Sequence, residues 1–158
     1  MPPESSPATA PRAWVEVDLA ALVRNAEALA RHARVPLIPM VKADAYGLGA
    51  VAAVRALESV APYAYGVSSI PEGEELRAAG IRRRILCFTP VTPADLPRLR
   101  TAGITPTLST PETITAWAEQ GGEWHLAIDT GMHRAGVNWD AMDALTETLA
   151  RHRPTGVF

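Results

Sequence analysis

The run Leu37-Ile38-Pro39-Met40-Val41-Lys42 is apolar up to its last residue and short enough to be a single buried strand. It opens a rhythm that decides the class of fold. Val51, Val54 and Leu57 follow at helical spacing, and Pro62 ends that helix. Tyr65-Gly66-Val67-Ser68 is the next strand, and a helix opens at Ser69-Ile70-Pro71-Glu72 and closes at Gly80. Glu72, Glu74 and Glu75 lie early in it and Arg77 late, as the helix dipole favours, so these acids read as helix-start charges and not as a catalytic pair. Arg84 to Phe88 is the third strand, and Thr92-Pro93-Ala94-Asp95 starts a helix that Pro97 weakens. A strand at Thr105-Pro106-Thr107-Leu108 precedes Ser109-Thr110-Pro111-Glu112, whose spacing is that of a capping box and which leads a helix to about Gln120. Trp124 to Asp129 forms the fifth core strand. Trp139, Met142, Leu145 and Leu149 stripe the next helix, and another strand begins at Gly156-Val157-Phe158.

Upstream of the run, Trp14-Val15-Glu16-Val17 alternates apolar and polar residues as a half-buried strand does. Asp18 then caps a helix to about His32, with Leu19, Leu22, Ala26 and Leu29 on one face. The first residues, MPPESSPATAPR, are rich in Pro and Ser, and residues 1–12 read as a disordered tail before a folded unit over 13–158. They lack the apolar centre of a signal peptide and no stretch has the length of a membrane span, so a cytoplasmic location is the default expectation.

Repeated strand–helix units with apolar strands mean an α/β fold, a parallel sheet covered by helices. About five units fit either a doubly wound open sheet or part of a (β/α)8 barrel of the TIM type, and periodicity alone does not choose. No GxGxxG or Walker loop follows any of the strands, which argues against a nucleotide site.

Composition narrows the partners. The chain has 158 residues, 47% of them hydrophobic, and 15 basic residues stand against 17 acidic ones without a polybasic run. Nucleic acid and membrane surfaces are therefore poor expectations. Cys87, the only cysteine, lies in the apolar run Ile85-Leu86-Cys87-Phe88 and reads as a buried, inert thiol. His32, His125, His133 and His152 have no metal-ligand spacing, no Gly-x-Ser-x-Gly elbow is present, and the four tryptophans read as packing residues.

One count points to chemistry. Fourteen of the 15 basic residues are arginine, and Lys42 is the only lysine. Under such a bias a surviving lysine suggests a place where only an amine serves, since the amine alone loses its proton readily and condenses with a carbonyl. Lys42 stands at the C-terminal end of the first core strand, the end that faces the active site in α/β barrels. Taken alone, it reads equally well as a solvated lysine at a strand end.

The segment Val41-Lys42-Ala43-Asp44-Ala45-Tyr46-Gly47-Leu48-Gly49 resembles the signature of the alanine racemase family, fold-type III pyridoxal-phosphate enzymes. A second segment, Asp129-Thr130-Gly131-Met132-His133-Arg134-Ala135-Gly136, is similar to the family's DTGMxRxG stretch. The resemblance runs from about Trp14 to Phe158. It implies that Lys42 is the residue forming the internal Schiff base with pyridoxal 5'-phosphate and is one of the two catalytic bases. It implies that Tyr46 helps hold the cofactor phosphate and that Arg134 contacts the cofactor's phenolic oxygen and the substrate carboxylate, as a planar guanidinium can. Two positions depart from the family pattern: Leu48 stands where histidine is usual, and Ala127 where many members carry a carbamylated lysine that supports the arginine.

The resemblance further implies interconversion of L- and D-alanine for cell-wall synthesis, in a homodimer whose partner supplies a tyrosine as the opposite-face base. It covers less than half of a typical member, so a lysine half-site in an incomplete barrel, inactive alone, is the expectation. The alternatives are a pyridoxal-phosphate-binding homeostasis protein of the related single-barrel type, whose lysine motif differs, and a non-enzymatic remnant.

Overall fold

Asp18 caps the first helix as its position suggests: its Oδ1 accepts from the Ala21 amide at 2.9 Å, and α1 runs over Leu19–Ala33. The structure, a computed structural model, describes residues 13–158, so the expected tail over 1–12 lies outside the described residues. After α1 come α2 (Lys42–Gly47), α3 (Ala50–Leu57), β1 (Tyr65–Val67), α4 (Ile70–Ala78), β2 (Ile85–Cys87), α5 (Leu96–Ala102), β3 (Thr105–Leu108) and α6 (Pro111–Ala118). The chain continues through β4 (His125–Leu126), β5 (Ile128–Asp129), β6 (Val137–Asn138), α7 (Thr146–Arg151) and β7 (Gly156–Val157).

The main sheet has the order β1-β2-β3-β4-β7, with every neighbouring pair parallel. Met40 bridges Gly66 in parallel beyond β1, held by Val41 N–H to Gly66 O at 2.8 Å and Gly66 N–H to Pro39 O at 2.9 Å. The strand expected over Leu37–Lys42 thus narrows to this one bridge; Pro39 brings no N–H to the ladder. Spatial order follows chain order without a reversal. A doubly wound sheet reverses its order at a switch point, whereas a barrel adds each strand beside the last. The fold is therefore part of a TIM-type α/β barrel.

The core lies between the sheet and its helices, where Val54, Val67, Ile85, Leu99, Leu108 and Ile114 are fully buried. Cys87 is buried among them, and burial pushes its thiol up from the ordinary value, in keeping with an inert group.

Several sequence expectations need correction. Trp14–Val17 forms no strand: Trp14 is 72% and Val15 83% exposed, because the alternating pattern has no partner strand among the described residues. Leu29 is exposed, although Leu22 and Ala26 on the same helix pack at the core. The box expected from Ser109 to Glu112 is absent; Thr110 is the cap, accepting from the Thr113 amide at 3.2 Å. Trp139 is 68% exposed, because Trp139–Leu145 winds as a tighter 3-10 turn before α7 and so breaks the 3.6-residue stripe. Of the four tryptophans, Trp117 and Trp124 pack in the core, while Trp14 and Trp139 do not. The stretch from Trp124 to Asp129 is split. Its first part pairs within the main sheet as β4, and its second, β5, pairs with β6.

Candidate active site

Each strand of the main sheet delivers residues to one cavity just past its C-terminal end. The cavity measures about 670 Å³. Met40 and Lys42 come from the first segment, Ser68 from after β1, Phe88 and Thr89 from after β2, Ser109 from after β3, Ala127 to Asp129 from after β4, and Phe158 from after β7. Phe88 and Phe158 meet edge to face with centroids 5.2 Å apart. Lys42 and Arg134, far apart in the chain, line this same cavity. The rim is cross-tied by the Thr107 hydroxyl donating to Cys87 O at 2.9 Å and by the Thr89 hydroxyl donating to Ser68 O.

Lys42 starts α2, whose hand is the unusual one. Ala43, Asp44, Ala45 and Tyr46 all have φ between 49° and 56°, a left-handed turn built without glycine. L-residues resist this conformation by roughly 1–2 kcal/mol each, and strain of this kind concentrates at functional sites. The turn is held from both ends. Asp44 Oδ1 accepts from the Ala50 amide at 2.6 Å at the start of α3, and Glu72 Oε1 accepts from the Ala43 amide at 2.8 Å. Burial pushes the Glu72 carboxyl up, but the amides of Ala43, Ser68 and Ser69 outweigh it and hold the group below its usual range. The turn also brings Lys42 Nζ to 5.8 Å from the centre of the Tyr46 ring, within cation–π reach.

The second segment is shaped by Asp129. Its Oδ1 accepts from the amides of Gly131 and His133, each at 3.0 Å, and His133 Nδ1 lies 3.3 Å from Oδ2. These amides, that of His133 first, hold the Asp129 carboxyl below the usual carboxylate range. Asp129 is buried while Arg134, at the outer end of the turn, is exposed and has no hydrogen-bond or ion-pair partner among the described residues. Ala127 is buried in the cavity wall and offers Arg134 no polar support.

Of the residues singled out from sequence, Lys42 and Arg134 meet at the cavity. Tyr46 does not line it; the residue is 64% exposed and meets the site only through Lys42. Leu48 is exposed on the same loop and does not line the cavity. Sequence reasoning passed over Ser68, Thr89, Thr107 and Ser109, for which position at a strand end was the one signal, and over Glu72, whose bond to Ala43 has no local signature. An amine, a guanidinium with free donors and hydroxyls around one cavity can hold a small molecule bearing a carbonyl and an anionic oxygen. Among the described residues no group of three or more His, Cys, Asp or Glu is disposed to bind a metal, and no helix is long and apolar enough to cross a membrane.

Comparison with known proteins agrees with the barrel and with the family that the sequence resembles. The family model described as alanine racemase, N-terminal domain, matches residues 17–158. An alanine racemase of Symbiobacterium thermophilum is 39% identical over 146 residues, covering 87% of this chain and 38% of that protein. One from Nostoc is 32% identical over 151 residues, covering 89% of this chain and 39% of that protein. Among solved structures, alanine racemase from Corynebacterium glutamicum superposes with a TM-score of 0.80 at 28% identity, over 90% of this chain and 44% of that one. A structure from Bartonella henselae, described as having covalently bound pyridoxal phosphate, gives a TM-score of 0.78 at 25% identity over 89% and 44% of the two chains. The chain spans about two fifths of the length of the curated relatives it matches.

Proposed function

The chain belongs to the alanine racemase family through its N-terminal domain, and we propose that in the full protein it supplies the lysine half of a pyridoxal-phosphate-dependent site that interconverts L- and D-alanine. The single observation that carries this reading is the convergence of Lys42 and Arg134 on one cavity at the C-terminal rim of the strands. A barrel of this type places its chemistry at that rim.

The residues present fit the cofactor. Lys42 offers the only lysine amine to condense with its aldehyde, and Arg134, without a side-chain partner among the described residues, offers a planar fork to its phenolic oxygen and to a substrate carboxylate. Once bound, the cofactor supplies a ring that accepts the negative charge left on the substrate α-carbon. Lys42 then takes the α-proton on its own face or returns it there, as a general base and acid in turn. The aromatic face of Tyr46 lies within cation–π reach of that amine and orients it. Inversion needs a second proton carrier on the opposite face, and we assign it to a part of the protein outside these 158 residues, in a homodimer whose product feeds cell-wall synthesis in the cytoplasm. The 158-residue unit is then inactive alone.

Borohydride reduction in the presence of pyridoxal phosphate tests the reading. The label is expected on Lys42, and the amino terminus is the one competing amine on this chain. Peptide mapping that places the label only on the amino terminus of a folded sample removes Lys42 from the mechanism.

A further inference from the structure

We infer that Glu72 is a positioning residue for Lys42: its carboxylate fastens the left-handed turn that carries the lysine to the N-terminal end of α4. The inference rests on the proposed function only in giving Lys42 its task; the fastening itself is read from geometry. Oε2 of Glu72 accepts from the Ser68 amide at 2.7 Å and the Ser69 amide at 3.0 Å, and Ser69 Oγ accepts in return from the Glu72 amide at 3.4 Å. That is a capping box, and it occupies one carboxylate oxygen. Oε1 is left over. It takes the amide of Ala43, the residue after Lys42, from across 29 positions of chain. The Ser68 hydroxyl completes the set at 3.1 Å from Oε2 and 3.4 Å from Oε1.

The partner set requires a carboxylate in particular. Capping boxes accept glutamate or glutamine alike. Here the backbone partners on both oxygens are N–H donors, so a glutamine would turn its own NH2 toward the amide of Ala43 or toward those of Ser68 and Ser69. Only a group that accepts at both oxygens serves helix and turn together. The turn has need of a hold, since four successive non-glycine residues sit in the left-handed region. Ser68 lines the cavity, so the same carboxylate fixes a second wall of the site. A residue that reads from sequence as a helix-start charge therefore sets where the Lys42 amine stands.

Glu72→Gln in the full-length protein, read by hydrogen exchange resolved to single amides, separates this from capping. In the wild type the Ala43 amide is expected to exchange slowly, although it has no backbone acceptor. In Glu72→Gln it should exchange roughly tenfold faster or more, the scale of losing one charged hydrogen bond, while the interior of α4 stays protected. The induced circular dichroism of added pyridoxal phosphate should weaken and its borohydride trapping on Lys42 should slow. Ser69→Ala, which breaks the cap alone, should loosen the start of α4 and leave both Lys42 readouts unchanged. Fast exchange at Ala43 in the wild type overturns the inference without any variant. So does a Glu72→Gln protein with wild-type exchange at Ala43 and an unchanged dichroic band. A wild type that takes up no pyridoxal phosphate at Lys42 sinks the proposed function instead, and exchange at Ala43 still decides the fastening.

Discussion

Gly136 touches Asp129 across the turn that carries Arg134. A Cβ on Gly136, whose φ is +121°, would fall on the Asp129 amide nitrogen and 2.7 Å from the carbonyl carbon of Ile128. Both obstacles are backbone, which cannot swing aside as a side chain can. The close approach lets β5 and β6 pair at Ile128↔Val137 and so closes the turn beneath Arg134.

Gly136→Ala is accordingly expected to destabilise the fold by about 1–3 kcal/mol, through strain at a special backbone position and the clash together. Gly131→Ala is the control. Its φ of +136° is equally unfavourable for alanine, but no atom stands within 4 Å of a Cβ there. Urea unfolding of both variants should show the larger loss at position 136; equal losses would mean that the contact with Asp129 contributes nothing.

The left-handed turn makes its own prediction at Ala43, an exposed residue with φ 49°. Glycine carries no Cβ penalty there, so Ala43→Gly should leave stability equal or raise it by up to about 1 kcal/mol. Ala43→Val places a β-branched side chain in the same conformation and should lower the melting temperature. Matching melting curves for the two variants would show that the turn is not left-handed in solution.

Arg134→Lys in the full-length protein should lower racemase turnover by about tenfold or more and leave the circular dichroism spectrum unchanged. Lysine keeps the charge and loses the planar fork. Because Arg134 is exposed and forms no side-chain bond among the described residues, its replacement disturbs no packing. Unchanged turnover would exclude Arg134 as a cofactor or substrate contact.

His125 predicts a dependence on pH. It is buried in β4 with Nε2 unpartnered among the described residues, and Gly156 of β7 lies against its imidazole. Desolvation, with Arg84 adding to it, lowers its folded-state value below the ordinary 6.5. The unfolded chain therefore binds a proton before the folded one does. Stability should be full above 6.5 and fall as the pH is lowered through that value toward the depressed one. Urea midpoints across this range should show the decline in the wild type and a flatter profile in His125→Leu. Parallel profiles would assign the acid sensitivity to the carboxylates.

Much of this was legible in the sequence because it is local. The caps at Asp18 and Thr92, the apolar runs of β1 and β2 and the two glycine-bearing segments each draw their signal from residues close together in the chain. Lys42 stood out by a count and by its place at a strand end, and Arg134 by its segment. Local patterns fail where a residue's partner is distant. Trp14–Val17 alternates correctly and still forms no strand, because a strand exists only by pairing with another. Trp139 matches a helical stripe, but the backbone there takes a tighter winding.

By itself, the sequence determined an α/β chain of about five strand–helix units with a lone lysine at the end of the first strand. Periodicity sets the type of each element and is silent about which strand lies beside which. The resemblance pointed to the barrel, and the tertiary structure bears it out by setting β1, β2, β3, β4 and β7 side by side in chain order. That ordering carried Lys42 and Arg134 to one rim. It also brought Glu72 to the Ala43 amide, a bond across 29 residues that offsets part of the cost of holding four L-residues in the left-handed turn.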